Sequence, residues 1–361
     1  RNENLKAEET QEPLVTLPEA AAKIDHSELA KFLGRLLDDA WFLPTLQILK
    51  FYLFINEDLS KVSFPWEHVF KETNLSRLLD VPISHIPKPV YDVSVEWIKT
   101  QPSETLAESA VWASDIILTD WAKQYPCSKL SPVGAFVALA MVLRGKPDAL
   151  AFVVPKLTKD PNYQEQDRIL LIVWMTAQAS QVDLYAGLYS WAHYLLPIAG
   201  DKSGCRRKSM DLILQLVENI LSKPKALTTL VSGAVRKGQR LIPVSSFEIL
   251  MRLTFPAPSA RTKATKRFEA IYPLLKQVAL LAPENSTGSK RMKEIFTFSL
   301  ELAEEEDSVL AEEATAIAIW ALTENADCFK LWDNLYTENL DASVDLLEKL
   351  ADEWKDHSIK L

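Results

Sequence analysis

The stretch Asp160–Pro197, DPNYQEQDRILLIVWMTAQASQVDLYAGLYSWAHYLLP, contains the pattern that decides the fold class. Between Ile169 and Ala179 nearly every position is apolar. A helix that is apolar on all sides must be buried on all sides. Asp160-Pro161 predicts the start of this helix, because an acceptor side chain precedes a residue that has no N–H to satisfy.

A second helix follows directly. Ser180 and Asp183 have the spacing of a capping box that opens it, and Pro197 is predicted to end it. One face of this helix carries apolar residues at spacings of three and four, namely Leu184, Leu188, Trp191 and Leu195. The central helix of such a hairpin needs neighbours on each side, so the hairpin predicts a stack of helices.

Proline residues punctuate the rest of the chain in the same way. Further helix starts are indicated at Ser131-Pro132, Lys146-Pro147, Lys223-Pro224, Ala257-Pro258 and Ala282-Pro283. The helix pairs between them recur about every 35–45 residues, as in HEAT and armadillo units, although no strict consensus repeats. We therefore predict an all-α fold, an irregular α-solenoid of antiparallel helix pairs. No segment alternates apolar and polar residues for long, so little or no sheet is expected.

Composition and length fit this fold class. The chain has 361 residues, 48% of them hydrophobic, and only 9 glycines against 20 prolines. Residues 1–24 are predicted to form a flexible acidic lead-in, and residues 25–361 a single extended helical domain. The first residue is Arg1 rather than Met, so we expect a piece of a longer protein. The longest apolar runs, Ala135–Leu143 and Ile169–Ala177, are about half as long as a membrane span requires.

Charge is divided unevenly along the chain. The net charge is −9, yet the basic zone, residues 202–276, has 15 Lys and Arg against 4 Asp and Glu. Residues 294–356 have 18 acidic and 3 basic residues. In a solenoid, sequence neighbours are also neighbours in space, so we expect a basic surface beside acidic C-terminal helices.

No motif for enzyme chemistry is present. The sequence lacks GxSxG, the P-loop, HExxH and a dinucleotide-binding glycine pattern. The five histidines, His26, His68, His85, His193 and His357, have no metal-ligand spacing. We interpret His193 as a hydrogen-bonded residue within an aromatic cluster. The sequence predicts no enzyme, no cofactor, no metal and no small-molecule substrate.

The cysteines indicate the compartment. Cys127, Cys205 and Cys328 are odd in number and far apart, which indicates free thiols in a reducing environment. Asn74 and Asn285 fit the N-glycosylation pattern. Because free thiols favour the cytosolic side of a membrane, we expect both asparagines to be unmodified.

Several long strings resemble the endoplasmic-reticulum (ER) membrane family of transmembrane protein 214, in its plant branch. They are Asp80–Pro87, Ile172–Pro197, Gly233–Phe255, Ala260–Lys276 and Ala316–Asn339. The resemblance covers most of the chain from about Ser63. It implies the soluble helical region of an ER-anchored protein, without the membrane spans. The free thiols lead us to expect that this region faces the cytosol. Animal members are linked to cell death under ER stress, through holding a partner at the membrane. The family has no catalytic residues to transfer.

Three clusters within the basic zone are the candidate binding residues: Arg206, Arg207 and Lys208, then Arg236, Lys237 and Arg240, then Arg261, Lys263, Lys266 and Arg267. The last lies at a predicted helix N-terminus, where cations oppose the helix dipole and favour the arrival of an anion. Ser209, after Arg-Arg-Lys, is a candidate phosphorylation site.

Two functions are consistent with these clusters. The first is a non-enzymatic scaffold that recruits a protein partner with an acidic surface to the ER, in ER stress or trafficking. The alternative is an electrostatic adaptor that binds anionic lipid headgroups or RNA directly. Aromatic residues are few in the zone, which disfavours RNA. The simplest remaining reading is solubility, with the cations paired inside the molecule.

Overall fold

The computed structural model describes residues 15–39, 43–124, 129–162, 165–201, 205–236, 238–281, 288–306 and 308–359. Helices dominate it. Extended pairing in these ranges is limited to a two-residue hairpin and one bridge between Val15 and Val62. The all-α class and the near absence of sheet are therefore confirmed. The chain divides into two compact units, residues 1–182 and residues 183–361; the single extended domain stays a prediction.

The described residues of the first unit contain ten α-helices. They are α1 (Leu17–Ala21), α2 (His26–Asp38), α3 (Pro44–Leu59), α4 (Trp66–Glu72), α5 (Leu75–Leu78), α6 (Lys88–Thr100), α7 (Ser103–Trp121), α8 (Pro132–Gly145), α9 (Leu150–Lys159) and α10 (Glu165–Ser180). Short 3-10 turns occupy Ile83–His85 and Pro147–Ala149. The predicted start at Ser131-Pro132 is confirmed, because Ser131 accepts a hydrogen bond from the Gly134 amide at the N-cap of α8.

The predicted lead-in does not extend to residues 17–21. These residues form α1, whose first turn is closed by a capping box between Thr16 and Glu19. Leu17, Ala20 and Ala21 are buried, and α1 packs on α3. Residues 1–14 lie outside the described ranges.

Helix α10 is buried all round, as its sequence predicts: each residue from Ile169 to Ser180 is buried. Its start was wrongly predicted. Asp160 ends α9, because a residue that precedes proline disfavours the helical conformation, and α10 begins at Glu165. Its Trp174 packs edge-on against Phe136 of α8 at a ring separation of 5.2 Å.

Polar side chains within the apolar surface of α10 have defined partners. Trp174 Nε1 donates to the carbonyl of Val81 at 3.0 Å, and Gln178 Nε2 donates to that of Leu79 at 3.0 Å. Arg144 of α8 donates to the same Leu79 carbonyl at 2.8 Å. Since buried polar groups require partners, these bonds fix the loop after α5 against the core of this unit.

The second unit contains the remaining elements. They are α11 (Leu184–Ser190), a π-helical turn (Trp191–Leu195), α12 (Leu196–Ala199), α13 (Arg207–Leu221), α14 (Ala226–Ser232), β1 (Val235–Arg236), β2 (Gln239–Arg240), α15 (Val244–Thr254), a 3-10 turn (Pro258–Ala260), α16 (Lys263–Leu280), α17 (Gly288–Ala303), α18 (Ser308–Glu324), α19 (Asp327–Leu335), α20 (Leu340–Asp352) and α21 (Trp354–His357).

The predicted capping box at the start of α11 is wrong in one member. Asp183 alone caps this helix, by accepting from the Tyr185 amide at 2.9 Å. Ser180 still belongs to α10, where its hydroxyl donates to the Ala177 carbonyl at 2.8 Å. Ser180 is the last residue of α10, three positions before the N-cap Asp183, so it is not placed to cap α11.

Pro197 does not end the helical path, contrary to the prediction. The preceding turn is π-helical, with Leu196 N–H bonded to the Trp191 carbonyl. In the same register the Ala192 carbonyl would need the N–H that Pro197 lacks. Ser246 of α15 supplies the missing donor, with its buried hydroxyl 2.7 Å from the Ala192 oxygen. The chain therefore continues into α12.

The apolar runs Ala135–Leu143 and Ile169–Ala177 lie in α8 and α10 and are buried in the first unit. No helix in the part of the chain that the structure describes is both long and apolar enough to cross a membrane.

Candidate functional site: a basic groove

Two helix N-termini of the second unit meet at one groove. Helix α13 begins at Arg207 after an extended Arg206, and α16 begins at Lys263 after an extended Thr262. The Thr265 hydroxyl accepts a hydrogen bond from the Thr262 amide at 3.0 Å, which fixes the first turn of α16. The two helices pack on each other. Each N-terminus is the positive end of its helix dipole.

The groove between them has a volume of about 1060 Å³. Its lining combines four cations and one carboxylate with apolar and small side chains. The residues are Cys205, Arg207, Lys208, Met210, Asp211, Leu214, Thr262, Lys263, Ala264 and Arg267. The first and third basic clusters of the sequence therefore contribute to one site, with an apolar strip from α13 between them.

Arg267 connects the two helices. Its guanidinium donates to both carboxylate oxygens of Glu218 at 2.7 Å and to Asp211 at 2.6 Å. The hydrogen bonds that Arg267 donates to Glu218, together with that to Asp211, raise the pKa of Arg267 above its ordinary value, against the effect of burial. A planar fork that meets a carboxylate with two bonds holds its geometry well. Arg267 thus fixes α16 against α13, and its charge is already compensated.

Two other cations of the groove are not compensated. Arg207 and Lys263 are exposed, and the described residues provide neither with an ion-pair or hydrogen-bond partner for its side chain. The same holds for the exposed Arg206 and Lys266 at the ends of the same helices. Uncompensated cations at the positive ends of two helices create a local positive potential.

Arg261 differs from its neighbours in the third cluster. Its guanidinium lies 2.5 Å from the carboxylate of Glu269, which belongs to the second turn of α16. The pair is about 40% exposed on both sides. Arg261 therefore offers less charge to an incoming ligand than Lys263 does.

The second basic cluster is not part of the groove lining. Arg236 belongs to β1, where its guanidinium bonds Asp183 at 2.6 Å and lies over the Tyr185 ring at 4.9 Å. Arg240, in β2, donates to the Ala279 carbonyl. Lys237 lies outside the described residues.

His193 and the backbone of Arg240 form a half-buried structural contact. His193 Nε2 lies 2.8 Å from the Arg240 carbonyl, and its ring stacks on Tyr189 at 3.8 Å. Burial lowers the pKa of His193, and burial together with the nearby Arg291 lowers the pKa of Arg240 to about 10. The interpretation of His193 as a hydrogen-bonded residue of an aromatic cluster is confirmed.

The candidate phosphorylation site is not accessible in the folded chain. Ser209 is only 1% exposed and lies in the first turn of α13. A kinase needs an extended, accessible segment, so modification of Ser209 requires this turn to open. Its use as a phosphorylation site stays a prediction.

The described residues contain no group of three His, Cys, Asp or Glu side chains close enough to hold a metal. Cys205 and Cys328 are free thiols, whereas Cys127 lies outside the described ranges. Asn74 is exposed at the start of α5, and Asn285 also lies outside the described ranges.

The apolar part of the groove was missed at the sequence level. Met210 and Leu214 follow the basic residues of α13 at a spacing of four, and Ala264 follows Lys263 directly. The i, i+4 spacing placed Met210 and Leu214 on one helix face. It did not distinguish a groove wall from the core.

Comparison with known proteins bears on this architecture. The family model described as "TMEM214, C-terminal, caspase 4 activator" matches residues 2–361. Transmembrane protein 214-B of Xenopus laevis is 25% identical over 232 residues, which is 62% of this chain and 31% of that protein. Transmembrane protein 214-A of Xenopus laevis matches to the same extent.

The chain thus spans about a third of the length of these relatives, at 31%. No solved structure matches it. The family match extends over nearly the whole chain, beyond the part from Ser63 that carried the resemblance. The chain belongs to the TMEM214 family.

Proposed function

We propose that this chain is a non-enzymatic recruiting domain whose basic groove binds an acidic segment of a partner protein. The observation that carries the proposal is the position of Arg207 and Lys263. They come from two different helices, line one groove, and have no carboxylate partner among the described residues. A carboxylate side chain that enters the groove supplies that partner.

The lining favours a peptide over a bare phosphate. Met210 and Ala264, both half-buried, give the groove an apolar strip beside the cations, and the fully buried Leu214 lies behind them. An acidic peptide matches this combination, since it presents carboxylates and apolar side chains on one short segment. No aromatic residue lines the groove, so bases of a nucleic acid have no ring to stack on there.

The family description supports recruitment. It names an activator of caspase 4, which is a role in signalling. The relatives are named as transmembrane proteins. In this proposal the chain lies at the ER membrane, faces the cytosol, and brings its partner to that surface during ER stress. The free thiols of Cys205 and Cys328 fit a reducing compartment.

The finer architecture is part of the same proposal. Within the second unit α15 packs on α16 and α17 packs on α18, as successive antiparallel pairs of an irregular α-solenoid do. Such a stack presents consecutive helix ends along one edge, which is where α13 and α16 form the groove.

The test uses a fluorescein-labelled peptide of Glu and Leu residues, titrated with the full chain while fluorescence anisotropy is measured. Reversal of the two uncompensated cations, Arg207→Glu with Lys263→Glu, is expected to weaken binding at least about tenfold. The matched control is Lys156→Glu with Lys159→Glu, which changes net charge equally on the exposed surface of α9. This control is expected to leave the affinity within about twofold.

Two further probes separate the alternative ligands. The first probe is a vesicle that contains phosphatidylserine, and its binding to the same variants is measured by sedimentation. The second probe is a single-stranded RNA, which is titrated with the same variants. One outcome would show that the ligand is a phosphate and not a protein partner. In that outcome the vesicle or the RNA binds the unchanged chain but not the groove variant, and the acidic peptide does not bind at all. Direct phosphate binding would also weaken steeply with added salt. An equal effect of the groove and control variants on the peptide would show a non-specific charge effect and refute the groove.

A further inference from the structure

Helix α20 presents an apolar stripe that nothing in the described structure covers. Leu340, Val344 and Leu347 are 52%, 40% and 43% exposed. They recur at spacings of four and three, Ala351 continues the series, and an exposed Trp354 follows at the end of the helix. Three consecutive large apolar side chains on one helix surface differ from the isolated exposed residues that are normal in proteins.

The opposite side of α20 is firmly fixed. Ala342, Ser343, Leu346 and Leu350 are buried. Ser343 accepts a hydrogen bond from the Trp332 indole at 3.0 Å, and the Ala342 amide donates to Glu304 at 3.0 Å. The exposed stripe is therefore not a misplaced core face that a small rotation of the helix would bury.

A column of carboxylates borders the stripe. Successive residues of an α-helix turn by about 100°, so the four apolar residues fall within an arc of about 60°. The buried face is centred about 110° to one side of that arc. Centred about 100° to the other side is the acidic column, Asp341, Asp345, Glu348 and Asp352.

The acidic column has no ion-pair partner among the described residues. In the described part of the chain none of its four carboxylates forms an ion pair or a hydrogen bond with a side chain. Lys349 is the nearest basic residue on α20 itself, on the far side of the column. Four uncompensated carboxylates on one helix repel one another and attract a positively charged surface.

We propose that the stripe and the acidic column of α20 together form a docking surface for a basic amphipathic helix of a partner protein. The apolar seam of that helix packs on Leu340, Val344 and Leu347, and its Lys and Arg residues face the carboxylates. This surface is separate from the basic groove and has the opposite charge. It therefore binds a basic segment, whereas the groove binds an acidic one. A second copy of α20 is disfavoured because two acidic columns would meet, and anionic membranes are disfavoured for the same reason.

Charge complementarity also distinguishes α20 from the other exposed leucine stripe. On α3, Leu46, Leu49 and Leu53 are 39%, 36% and 43% exposed, a comparable apolar surface. The residues among them include Lys50 and no carboxylate. This stripe offers the same hydrophobic contact without the acidic border, so it is a matched control within the same chain.

The probe is a synthetic helix with Leu in its seam and Lys and Arg along one side, fluorescein-labelled, and a scrambled peptide of identical composition. The double variant Val344→Gln with Leu347→Gln is expected to weaken binding to the full chain at least about tenfold. The matched variant Leu46→Gln with Leu49→Gln is expected to leave binding unchanged. Circular dichroism checks that the helix content of each variant is kept.

The acidic column is tested in the same way. Neutralisation by Asp341→Asn, Asp345→Asn and Glu348→Gln is expected to weaken binding about tenfold at low salt. Neutralisation of two exposed acids on α7, Glu104→Gln and Glu108→Gln, is the control and is expected to have no effect.

Four outcomes would overturn the inference. The first is that the scrambled peptide binds as tightly as the designed helix. The second is that the α3 variant and the α20 variant lose binding equally. Alternatively, sedimentation would show a dimer of the chain that Leu347→Gln abolishes, which makes a second copy the occupant. Recruitment to anionic vesicles that depends on the stripe would make a membrane the occupant.

Discussion

Replacement of Arg267 by methionine tests whether one side chain holds the groove together. Methionine replaces the apolar stem of the side chain but removes the guanidinium and with it the bonds to Glu218 and Asp211 at 2.6–2.7 Å. Exposed ion pairs contribute about 0–1 kcal/mol each, and buried charged hydrogen bonds about 1.5–3 kcal/mol. Arg267 is 31% exposed and bidentate, so we expect a loss of about 2 kcal/mol in the free energy of unfolding.

The measurement is urea denaturation followed by circular dichroism, with hydrogen exchange of the α13 amides as the local readout. For a unit of this size the expected loss corresponds to a fall of about 6 °C in melting temperature. Lys263→Met is the matched control, since Lys263 has no side-chain partner among the residues that the structure describes. It is expected to change stability by less than about 0.5 kcal/mol. In a double-mutant cycle, Arg267→Met and Glu218→Gln are expected to couple by about 1 kcal/mol.

Equal stability of the Arg267→Met and Lys263→Met variants, or a coupling energy near zero, would refute the role of Arg267 as a connection between α13 and α16. The binding assay is expected to rank the two variants in the opposite order. Because Glu218 and Asp211 already compensate Arg267, its loss is expected to change acidic-peptide affinity by less than about threefold, whereas loss of Lys263 weakens it more.

Three further results are expected. Ser246→Ala leaves the buried Ala192 carbonyl without a donor, so urea denaturation is expected to show a loss of about 1–3 kcal/mol. Burial lowers the pKa of His193 below 6.5, so the unfolded chain binds a proton at this histidine more readily than the folded chain does. The free energy of unfolding is therefore expected to decrease as the pH falls below 6.5. In His193→Gln this part of the pH dependence of unfolding is expected to disappear. With iodoacetamide under native conditions, mass spectrometry is expected to find Cys205 alkylated and Cys328 intact, because Cys328 is fully buried and burial raises the pKa of its thiol to about 11; alkylation of both at equal rates would contradict the fold around α19.

The helices themselves were largely predictable from sequence. The apolar run of Ile169–Ala179 marked the buried helix, and Ser131-Pro132 marked the start of α8, because each signal depends on a few neighbouring residues. The errors at Asp160 and Pro197 have a different origin. At Asp160 the signal belonged to the end of the preceding helix, and at Pro197 a donor 49 residues away, Ser246, allowed the helical path to continue.

The candidate site was predictable only in part. Charge counts located the basic zone, but not which cations remain available. Arg267 is compensated by Glu218, 49 residues earlier, and Arg236 by Asp183, 53 residues earlier. Such pairs depend on how helices pack, which local patterns do not determine. On α20 the signal was present in the spacing of Leu340, Val344 and Leu347, yet spacing does not distinguish a buried face from an exposed one.

The π-helical turn at Trp191–Leu195 affects how the family can tolerate the deletion of a residue during evolution. It contains one residue more than an α-helix needs to cover the same rise, so deletion of one residue there would restore an ordinary helix without turning α12 relative to α11. In the α-helical register the Ala192 carbonyl would again face the N–H that Pro197 lacks, and Ser246 would still be needed as its donor. A homologue shortened by one residue at this point is therefore expected to keep the proline and the serine together, so that an alignment of divergent members would carry the trace of a three-dimensional contact.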